Sequence, residues 1–392
     1  MLHFDDTKIA FKIKSNADLK RAYWLFRIIG SPFMVKTGKL FMIVALKLRF
    51  PVSFLIRKTI FKQFCGGESI EECSKTIEAL GGHKIGTILD YSVEGKTQEE
   101  DFEKTTEIII QTIQKASNES HIPFAVFKIT GISKFSLLEK ASHNKNDLSE
   151  HQKIQLHKIE ERINKICRAA HDMNVPVFID AEESWVQDII DQWALDMMLL
   201  YNKEKCIVFN TIQMYRHDRL DFLHQCLKTS KESNIHYGIK LVRGAYMEKE
   251  RKRAEEHNYP SPIQIDKNST DKDYDLALDI ILKNIEVFSL VAGTHNEESS
   301  MKLAIALEKH AIDKKDHRVY FAQLLGMSDH ISFNLAHHGY NVAKYVPFGP
   351  VKEVMPYLLR RADENTSVAG QTGRELGLLK KELKQRKIRG KS

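Results

Sequence analysis

The stretch VPVFIDAEESWVQDIIDQWALDMMLLY, residues 175–201, joins a short apolar run to a longer amphipathic one. The first part, up to Ile179, is rich in β-branched and aromatic residues, which is typical of a strand buried on both faces. From Ser184 to Tyr201 the apolar residues recur at the spacing of a helix. The stretch therefore predicts one strand followed by one helix.

Seven further runs of the same kind occur in the chain, with helix-period segments between them. The eight runs begin at Lys84, Phe124, Val175, Cys206, Tyr237, Phe288, Arg318 and Asn341. Eight strand–helix units in succession predict an α/β fold, a parallel (βα)8 barrel of the TIM type. An open doubly wound sheet is disfavoured because no run is followed by G-x-G-x-x-G, so a dinucleotide would not be held in the Rossmann manner.

Polar residues occupy the ends of the predicted strands. In chain order they are Asp90 with Glu94, Lys128, Asp180, Gln213, Arg243 with Tyr246, Thr294-His295-Asn296, Gln323 and Tyr345. Because the carboxyl ends of the strands form the active-site face of such a barrel, these residues are candidates for an active site. A single member has a simpler explanation, since Asp180 could begin a helix. The set as a whole predicts a site at the mouth of the barrel.

Two adjacent arginines, Arg360 and Arg361, close the helix predicted after the last strand, in YVPFGPVKEVMPYLLRRADEN (345–365). Two guanidinium groups are suited to a carboxylate or phosphate ligand. They also suit solvated positions, because basic residues complement the helix macrodipole and Glu364 can pair with Arg360 at i+4. The residues alone leave both interpretations open.

Composition limits the class of protein. The five cysteines of this 392-residue chain are widely spaced and form no Cys-x-x-Cys pair, so we expect a reduced compartment and neither a zinc site nor a disulfide scaffold. No metal site is predicted, since His295 has no His-x-His partner. The start, MLHFDDTKIAFKIK, has no apolar core with a cleavage site, and we expect no secretory signal.

A basic amphipathic segment runs from Leu19 to Gly67 and contains no acidic residue. Its most apolar part, LFMIVALKLRFPVSFLI, is interrupted by Lys47, Arg49 and Pro51, which disfavours a membrane span and favours either surface contact with a membrane or packing on a larger domain. No nucleic-acid motif accompanies the charge. We predict a basic amphipathic helical N-terminal region over 1–80, the barrel over 81–370, and a basic C-terminal tail over 371–392. The part of the tail from Lys380 is expected to be a solvated or frayed helix end, with a role in surface binding as the alternative.

The stretches KLVRGAYMEKER (240–251), YFAQLLGM (320–327) and YVPFGPVKEVMPYLLRRADENTS (345–367) resemble proline dehydrogenase. The resemblance extends over the barrel, roughly Lys84 to Ser367. It implies a distorted (βα)8 barrel with FAD, oxidation of L-proline to Δ1-pyrroline-5-carboxylate by hydride transfer from substrate C5 to flavin N5, and electrons passed to a membrane quinone, ubiquinone or menaquinone. The order Lys240-Leu-Val-Arg243 is similar to the mitochondrial branch, whereas many bacterial members have the two cations exchanged.

The resemblance also implies roles for individual residues. Arg360 and Arg361 would clamp the proline carboxylate, and Tyr345 would pack on the ring. Lys128 and Asp180 would line the pocket as an ion pair. The remaining substrate-side positions are Tyr246 and Leu324 in the wall and Glu94 as a gating carboxylate that pairs with Arg360.

For the cofactor, the resemblance implies contacts with FAD from nine positions. They are Gln213, Lys240, Arg243, Gly244, Ala245, Thr294, His295, Asn296 and Glu364. Either Lys240 or Arg243 would face flavin N5. The length leaves no room for the DNA-binding or aldehyde dehydrogenase modules of large family members, so we expect the monofunctional form, which releases its product to a separate pyrroline-5-carboxylate dehydrogenase.

Such an enzyme is expected in the cytoplasm, peripherally bound to the inner face of the cell membrane, or on the matrix side in a mitochondrion. Hydroxyproline dehydrogenase is the alternative within the family. Outside it, Lys128, Lys240 or Lys344 could act as the Schiff-base lysine of an aldolase barrel. A non-catalytic barrel that binds membranes is the remaining alternative.

Overall fold

A computed structural model describes residues 2–31, 33–38, 53–93, 95–367 and 371–389. Eight parallel strands form a closed barrel in the order β1 to β8. The strands are β1 Ile85–Tyr91, β2 Phe124–Lys128, β3 Val177–Asp180, β4 Val208–Gln213, β5 Tyr237–Val242, β6 Phe288–Gly293, β7 Val319–Leu324 and β8 Val342–Phe348. Each strand lies inside one of the eight predicted runs, and the predicted barrel is confirmed.

Helices cover the outside of the barrel and continue at both termini. They are α1 Thr7–Ala10, α2 Asn16–Ile29, α3 Ser53–Ile56, α4 Lys62–Phe64, α5 Ser74–Gly81, α6 Glu99–Ser117, α7 Phe135–His143, α8 Glu150–Asp172, α9 Ser184–Tyr201, α10 Arg219–Ser233, α11 Met247–Glu256, α12 Lys267–Lys283, α13 Glu297–Lys309, α14 Asp329–His337, α15 Met355–Ser367 and α16 Gln371–Arg389. Residues 33–38 are also helical, and a π-helical stretch, Arg57–Phe61, joins α3 to α4.

Alternation along each strand divides the core into two layers. In β3, Val177 and Ile179 belong to the large apolar cluster between strands and helices, whereas Phe178 belongs to the cluster inside the barrel. This follows from the two-residue period of a strand, which sends successive side chains to opposite faces. The barrel closes where β1 pairs with β8, in register from Ile85 with Val342 to Tyr91 with Phe348.

Aromatic side chains fill the interior of the barrel. The rings of Phe124 and Phe178 stack at 4.6 Å between centroids, and that of Phe209 meets them edge-on at 5.8 and 5.3 Å. Side chains therefore fill the interior of the barrel beneath the carboxyl ends of its strands. The active site of such a barrel lies at those carboxyl ends.

The C-terminal helix α16 packs on the N-terminal region. Leu378 and Leu379 are buried in one apolar cluster with Leu19 and Phe26 of α2. The fully buried Glu382 accepts a hydrogen bond of 2.8 Å from Thr7 Oγ1. The segment expected to be solvated or frayed is thus a packed helix as far as Arg389. The expectation was wrong because the partner that buries this helix lies at the opposite end of the sequence.

The described part of the basic segment carries exposed aromatic side chains. Trp24 is 56% exposed, Phe33 75% and Phe54 66%. Lys39, Lys47, Arg49 and Phe50 lie outside the described residues, as do Phe41, Met42 and Ile43. Among the helices in the described ranges, none has the length and apolar character needed to cross a membrane.

Candidate active site

Five of the predicted residues extend the inward-facing layer of the barrel. Asp90, Lys128, Asp180 and Tyr345 each lie two positions beyond an inward-facing apolar residue of the same strand. In β5 the inward position is taken by Lys240. Lys128 lies in register with Asp180 across β2 and β3. The two-residue period thus places a ring of charged and phenolic groups directly above the aromatic layer.

Lys240 is the centre of a buried polar cluster. Its ammonium donates to Asp180 Oδ1, and to the Tyr345 hydroxyl at 2.7 Å. The hydroxyl of Tyr345 lies 3.5 Å from the same carboxylate oxygen. Lys240 is 6% exposed and Asp180 9%, so the ion pair is shielded from water. Burial, and then the carboxylates of Asp180 and Asp90, raises the pKa of Tyr345, which keeps its hydroxyl protonated.

The predicted partner of Asp180 was wrong. The structure pairs Asp180 with Lys240, not with Lys128. Lys240 reaches Asp180 because its side chain points into the barrel interior, where side chains of non-adjacent strands meet. Lys128 acts on another carboxylate: burial raises the pKa of Asp90, and the charge of Lys128 opposes that shift.

The two cations of the Lys240-Leu-Val-Arg243 sequence point to different places. Arg243 lies three residues beyond Lys240 and therefore on the opposite side of the chain. Its guanidinium donates to Asp271 at 2.6 Å, Thr294 Oγ1 at 2.7 Å and Ser299 Oγ at 2.9 Å. Lys240 therefore faces the interior of the barrel, whereas Arg243 connects the loop after β5 to α12 and α13 by hydrogen bonds.

The paired arginines lie on α15, the helix that follows β8. Arg361 is 8% exposed and its guanidinium lies 5.1 Å from the centre of the Tyr357 ring. This burial contradicts the interpretation of Arg361 as a solvated helix-end charge. Burial lowers the pKa of His295 to about 3, and the charge of Arg361 acts in the same direction. Arg361 therefore lies near the rim after β6.

Arg360 faces a different part of the mouth. Burial raises the pKa of Tyr246, and the positive charges of Lys128 and Arg360 oppose that rise. Tyr246, Lys128 and Arg360 are therefore electrostatic neighbours. Helix α15 thus presents one arginine toward the Tyr246 side and one toward the His295 side.

The rim after β6 is fixed by hydrogen bonds. Thr294 Oγ1 accepts from the backbone N–H of Asn296 at 3.1 Å, and the backbone oxygen of Thr294 accepts from Gln323 Nε2 at 3.1 Å. Asn296 caps α13 by accepting from Ser299 N at 3.1 Å. His295 Nδ1 lies 3.0 Å from Ser328 Oγ. Three of the predicted cofactor positions therefore share one ordered turn.

At the ends of β3 and β4, Gln213 Nε2 donates to the backbone oxygen of Glu182 at 2.7 Å. Glu182 was missed from the sequence. It is 3% exposed, and its carboxylate accepts from the backbone N–H of Thr130 at 2.9 Å and from the Thr130 hydroxyl. Burial raises its pKa to about 7, although both bonds from Thr130 oppose that shift. The available signal was its position two residues after Asp180, in the same post-strand segment.

Some predicted residues are placed elsewhere or are not described. Lys344 is fully buried, and its ammonium lies 2.8 Å from Asp329 of α14, so it points away from the barrel interior and is not available there for a Schiff base. Leu324 is partly buried against the inner apolar cluster. Glu94 and the side chain of Glu364 lie outside the described part. Among the described residues, His, Cys, Asp and Glu nowhere form a group of three or more that could hold a metal ion.

Residues 73–374 match the protein family described as "Proline dehydrogenase". The chain is also 34% identical over 426 residues to "Proline dehydrogenase 1, mitochondrial" of Dictyostelium discoideum, covering 97% of this chain and 74% of that protein. The chain belongs to the proline dehydrogenase family.

A second relative has a name that states a different substrate. "Hydroxyproline dehydrogenase" of Xenopus laevis is 31% identical over 421 residues, covering 98% of this chain and 90% of that protein. Among solved structures, proline utilization A from Bdellovibrio bacteriovorus superposes with a TM-score of 0.73 at 19% identity. That match covers 95% of this chain and 40% of the larger one, and it shows the shared fold.

Proposed function

We propose that this chain oxidises L-proline to Δ1-pyrroline-5-carboxylate with FAD as cofactor, the first step of proline catabolism. The observation that carries the proposal is that Arg360 and Arg361 act electrostatically on Tyr246 and His295, which follow β5 and β6 at the mouth of the barrel. The buried cluster of Lys240, Asp180 and Tyr345 lies in the same barrel. A cyclic amino acid needs a clamp for its carboxylate and an apolar wall for its ring, and we assign these two roles to residues of this mouth.

The substrate carboxylate would be held by Arg360 and Arg361, because paired guanidinium groups bind carboxylates with charge-assisted hydrogen bonds. Lys128 adds positive charge on the same side of the mouth. Tyr345, Tyr246 and Leu324 would pack against the ring carbons, and Glu94 would close over the substrate by pairing with Arg360. Fixing the ring in one orientation makes the reaction effectively unimolecular.

The rim suits a flavin dinucleotide. Gly244 has φ +133°, and a Cβ there would lie 2.5 Å from the Tyr215 ring, so only glycine permits this turn. The backbone of Gly244 and Ala245 is exposed and open to close approach by a ligand. Arg243 and Lys240 supply positive charge for anionic parts of the cofactor.

FAD, when bound, supplies the acceptor for the hydride that leaves the proline ring. Lys240 is proposed as the residue that faces the reactive edge of the flavin, because it points into the barrel. The other proposed contacts come from Gln213 and Glu364 and from the Thr294-His295-Asn296 turn. Because its pKa is held at about 3, His295 is neutral at physiological pH and can offer a hydrogen bond without adding charge.

The proposed electron acceptor is a lipid-soluble quinone, ubiquinone or menaquinone. An enzyme that reduces a quinone has reason to lie on a membrane surface, and the exposed Trp24, Phe33 and Phe54 are suited to shallow insertion. We propose a peripheral location on the cytoplasmic face of the cell membrane, or on the matrix side in a mitochondrion. A pyrroline-5-carboxylate dehydrogenase would consume the product.

Hydroxyproline dehydrogenase is the second candidate, since the Xenopus laevis relative bears that name. Tyr345 argues for proline, because its buried ring leaves little space for a hydroxyl on the substrate.

The proposal is tested by steady-state oxidation of L-proline and of trans-4-hydroxy-L-proline with a soluble quinone as acceptor. The ring imine formed is trapped as its coloured adduct with o-aminobenzaldehyde. We expect a higher kcat/KM for L-proline. Turnover of hydroxyproline alone would favour the second candidate, and turnover of neither substrate by FAD-loaded protein would contradict the proposal.

A further inference from the structure

The C-terminal helix α16 contacts the rim of the barrel through one buried carboxylate. Glu375 is 4% exposed, and its Oε1 accepts a hydrogen bond from the backbone N–H of Ser328. The same oxygen lies 3.8 Å from His330 Nδ1. Glu375 therefore lies at the turn between β7 and α14, although it is distant in sequence.

That turn is conformationally demanding. Ser328 has φ +50°, a left-handed conformation that residues other than glycine adopt at a cost. Ser328 is fully buried and precedes the first residue of α14. The hydrogen bond from its backbone N–H to Glu375 stabilises this conformation from outside the turn.

Ser328 in turn contacts the cofactor rim. Its hydroxyl lies 3.0 Å from His295 Nδ1. The orientation of the His295 ring therefore depends on where the Ser328 hydroxyl is held, and that position depends on Glu375.

We propose that Glu375 is a positioning residue, which fixes His295 through Ser328 and so makes the C-terminal helix part of the cofactor site. The role of His295 toward FAD rests on the proposed function. The mechanical link from Glu375 to His295 rests only on the contacts of the described residues.

Anchoring of α16 does not by itself require Glu375. Arg374 pairs with Glu297 at 2.7 Å and with Asp5 at 2.6 Å. Further along the helix, Glu382 is fully buried, accepts from Thr7 and pairs with Arg386 at 2.8 Å. Glu382 is thus a buried carboxylate of the same helix that does not touch the rim. It supplies the matched control.

The first measurement needs no cofactor. Protein labelled with 15N-histidine gives ring nitrogen signals, and the signal missing from His295→Ala identifies His295. Glu375→Ala is expected to shift this signal, because the Ser328 hydroxyl moves. Glu375→Gln, which keeps an oxygen for the Ser328 N–H, and Glu382→Ala should leave it in place.

The second measurement is the dissociation constant of FAD, followed by quenching of flavin fluorescence. Loss of the contact chain should weaken binding by roughly 10-fold in Glu375→Ala. His295→Ala should do the same, and the double variant should be no weaker than either single one, because both remove one chain of contacts. Ser328→Gly removes the hydroxyl but suits φ +50°, so it should also weaken FAD binding while the thermal unfolding temperature stays unchanged or rises.

An unchanged His295 signal in Glu375→Ala would overturn the proposal. Independent, multiplying effects of Glu375→Ala and His295→Ala on the FAD dissociation constant would also overturn it. If Glu375→Ala does not fold, the link is tested with Ser328→Gly. An unchanged His295 signal together with an unchanged FAD dissociation constant in Ser328→Gly would contradict the link. A shifted His295 signal without any FAD binding by the wild-type protein supports the link and contradicts the proposed function.

Discussion

Arg361 illustrates how burial changes the meaning of a charged residue. At 8% exposure its guanidinium cannot be a solvated surface charge, and it stays near Tyr357 and the His295 turn. In the proposed function this guanidinium would bind the substrate carboxylate with charge-assisted hydrogen bonds.

Arg360→Ala and Arg361→Ala are each expected to raise the KM for L-proline steeply while FAD stays bound. Loss of one charge-assisted clamp is worth about 2–3 kcal/mol, or roughly a 30- to 150-fold change in KM. Steady-state kinetics measures this effect. Arg318→Ala is the control, since Arg318 pairs with Asp316 at 2.6 Å before β7, at the other end of the barrel. Near-native kinetics in both α15 variants would contradict the clamp.

Tyr345 is expected to set the preference for proline over its 4-hydroxylated form. Tyr345→Ser opens space beside the substrate, and the ratio of kcat/KM values should shift toward trans-4-hydroxy-L-proline by roughly 10-fold or more. Tyr345→Phe is the matched control, because it keeps the ring and removes only the hydroxyl that accepts from Lys240 at 2.7 Å. A Ser variant with an unchanged ratio would place specificity elsewhere.

The raised pKa of Glu182 predicts that the free energy of unfolding depends on pH. Its pKa is about 7 in the folded protein against 4.5 as the ordinary value, so the folded state retains a proton that the unfolded state loses. The free energy of unfolding should therefore fall as pH rises from about 4.5 to 7, by roughly 3 kcal/mol from this group, and change no further from it above pH 7.

Urea unfolding across this pH range checks the contribution. Glu182→Gln should remove it, so that the variant loses less stability than the wild-type protein between these pH values. Glu204→Gln, an exposed carboxylate, is the control. Equal slopes for Glu182→Gln and the wild-type protein would show that Glu182 is ionised throughout.

At the scale of single residues, the sequence predicted which polar side chains point into the barrel, but it did not predict which of them form ion pairs. Asp180 and Tyr345 follow from the two-residue period and from their place at strand ends. The partner of Asp180 does not, because Lys240 and Lys128 both point inward and only the geometry of the closed barrel decides which ammonium reaches the carboxylate. Glu182 was missed because acidic residues are also common near the N-terminus of a helix, and α9 begins two residues later.

At the scale of elements, the strands were predictable because each is buried on both faces and therefore appears as a mostly apolar run. Helix α9, Ser184–Tyr201, has the predicted bounds. Helix α16 was expected to be frayed, because its basic surface is visible in the sequence but its buried contacts with α2 and Thr7 are long-range.

Substitution of Asp329, at the start of α14, tests how much such long-range contacts between elements stabilise the fold. Its carboxylate lies 2.8 Å from Lys344 Nζ and 3.1 Å from Lys14 Nζ, and it joins the N-terminal region to β8. Asp329→Ala would leave the fully buried Lys344 ammonium without its counter-ion. The free energy of unfolding should fall by about 3–5 kcal/mol.

Chemical denaturation of Asp329→Ala measures this loss. The control is Glu150→Ala, which removes an exposed pair with Lys153 and should cost at most about 0.5 kcal/mol. A loss below 1 kcal/mol in Asp329→Ala would show that Lys344 is neutral or finds other partners.

At the scale of the whole molecule, the exposed aromatics Trp24, Phe33 and Phe54 are expected to bind anionic membranes. Each nearby cation contributes about 1 kcal/mol at such a surface, and salt weakens the attraction. The protein should sediment with anionic liposomes at low salt and be released at high salt. Substituting all three aromatics by Glu should abolish sedimentation.

The control for this prediction is the same substitution at exposed apolar residues of the outer helices. Ile154 is 60% exposed, Leu200 59% and Ile305 58%. Their replacement by Glu should leave liposome binding unchanged. Equal loss of binding in both triple variants would exclude the N-terminal aromatics as the specific contact.

Oxidation of L-proline by flavin bound to this protein is tested by an anaerobic titration of FAD-reconstituted protein with L-proline, followed by its visible spectrum. We expect the yellow flavin absorbance to bleach to the reduced form in proportion to the proline oxidised, with no quinone present. Protein that stays colourless after reconstitution, or that binds FAD and keeps its full absorbance at saturating L-proline, would contradict the account.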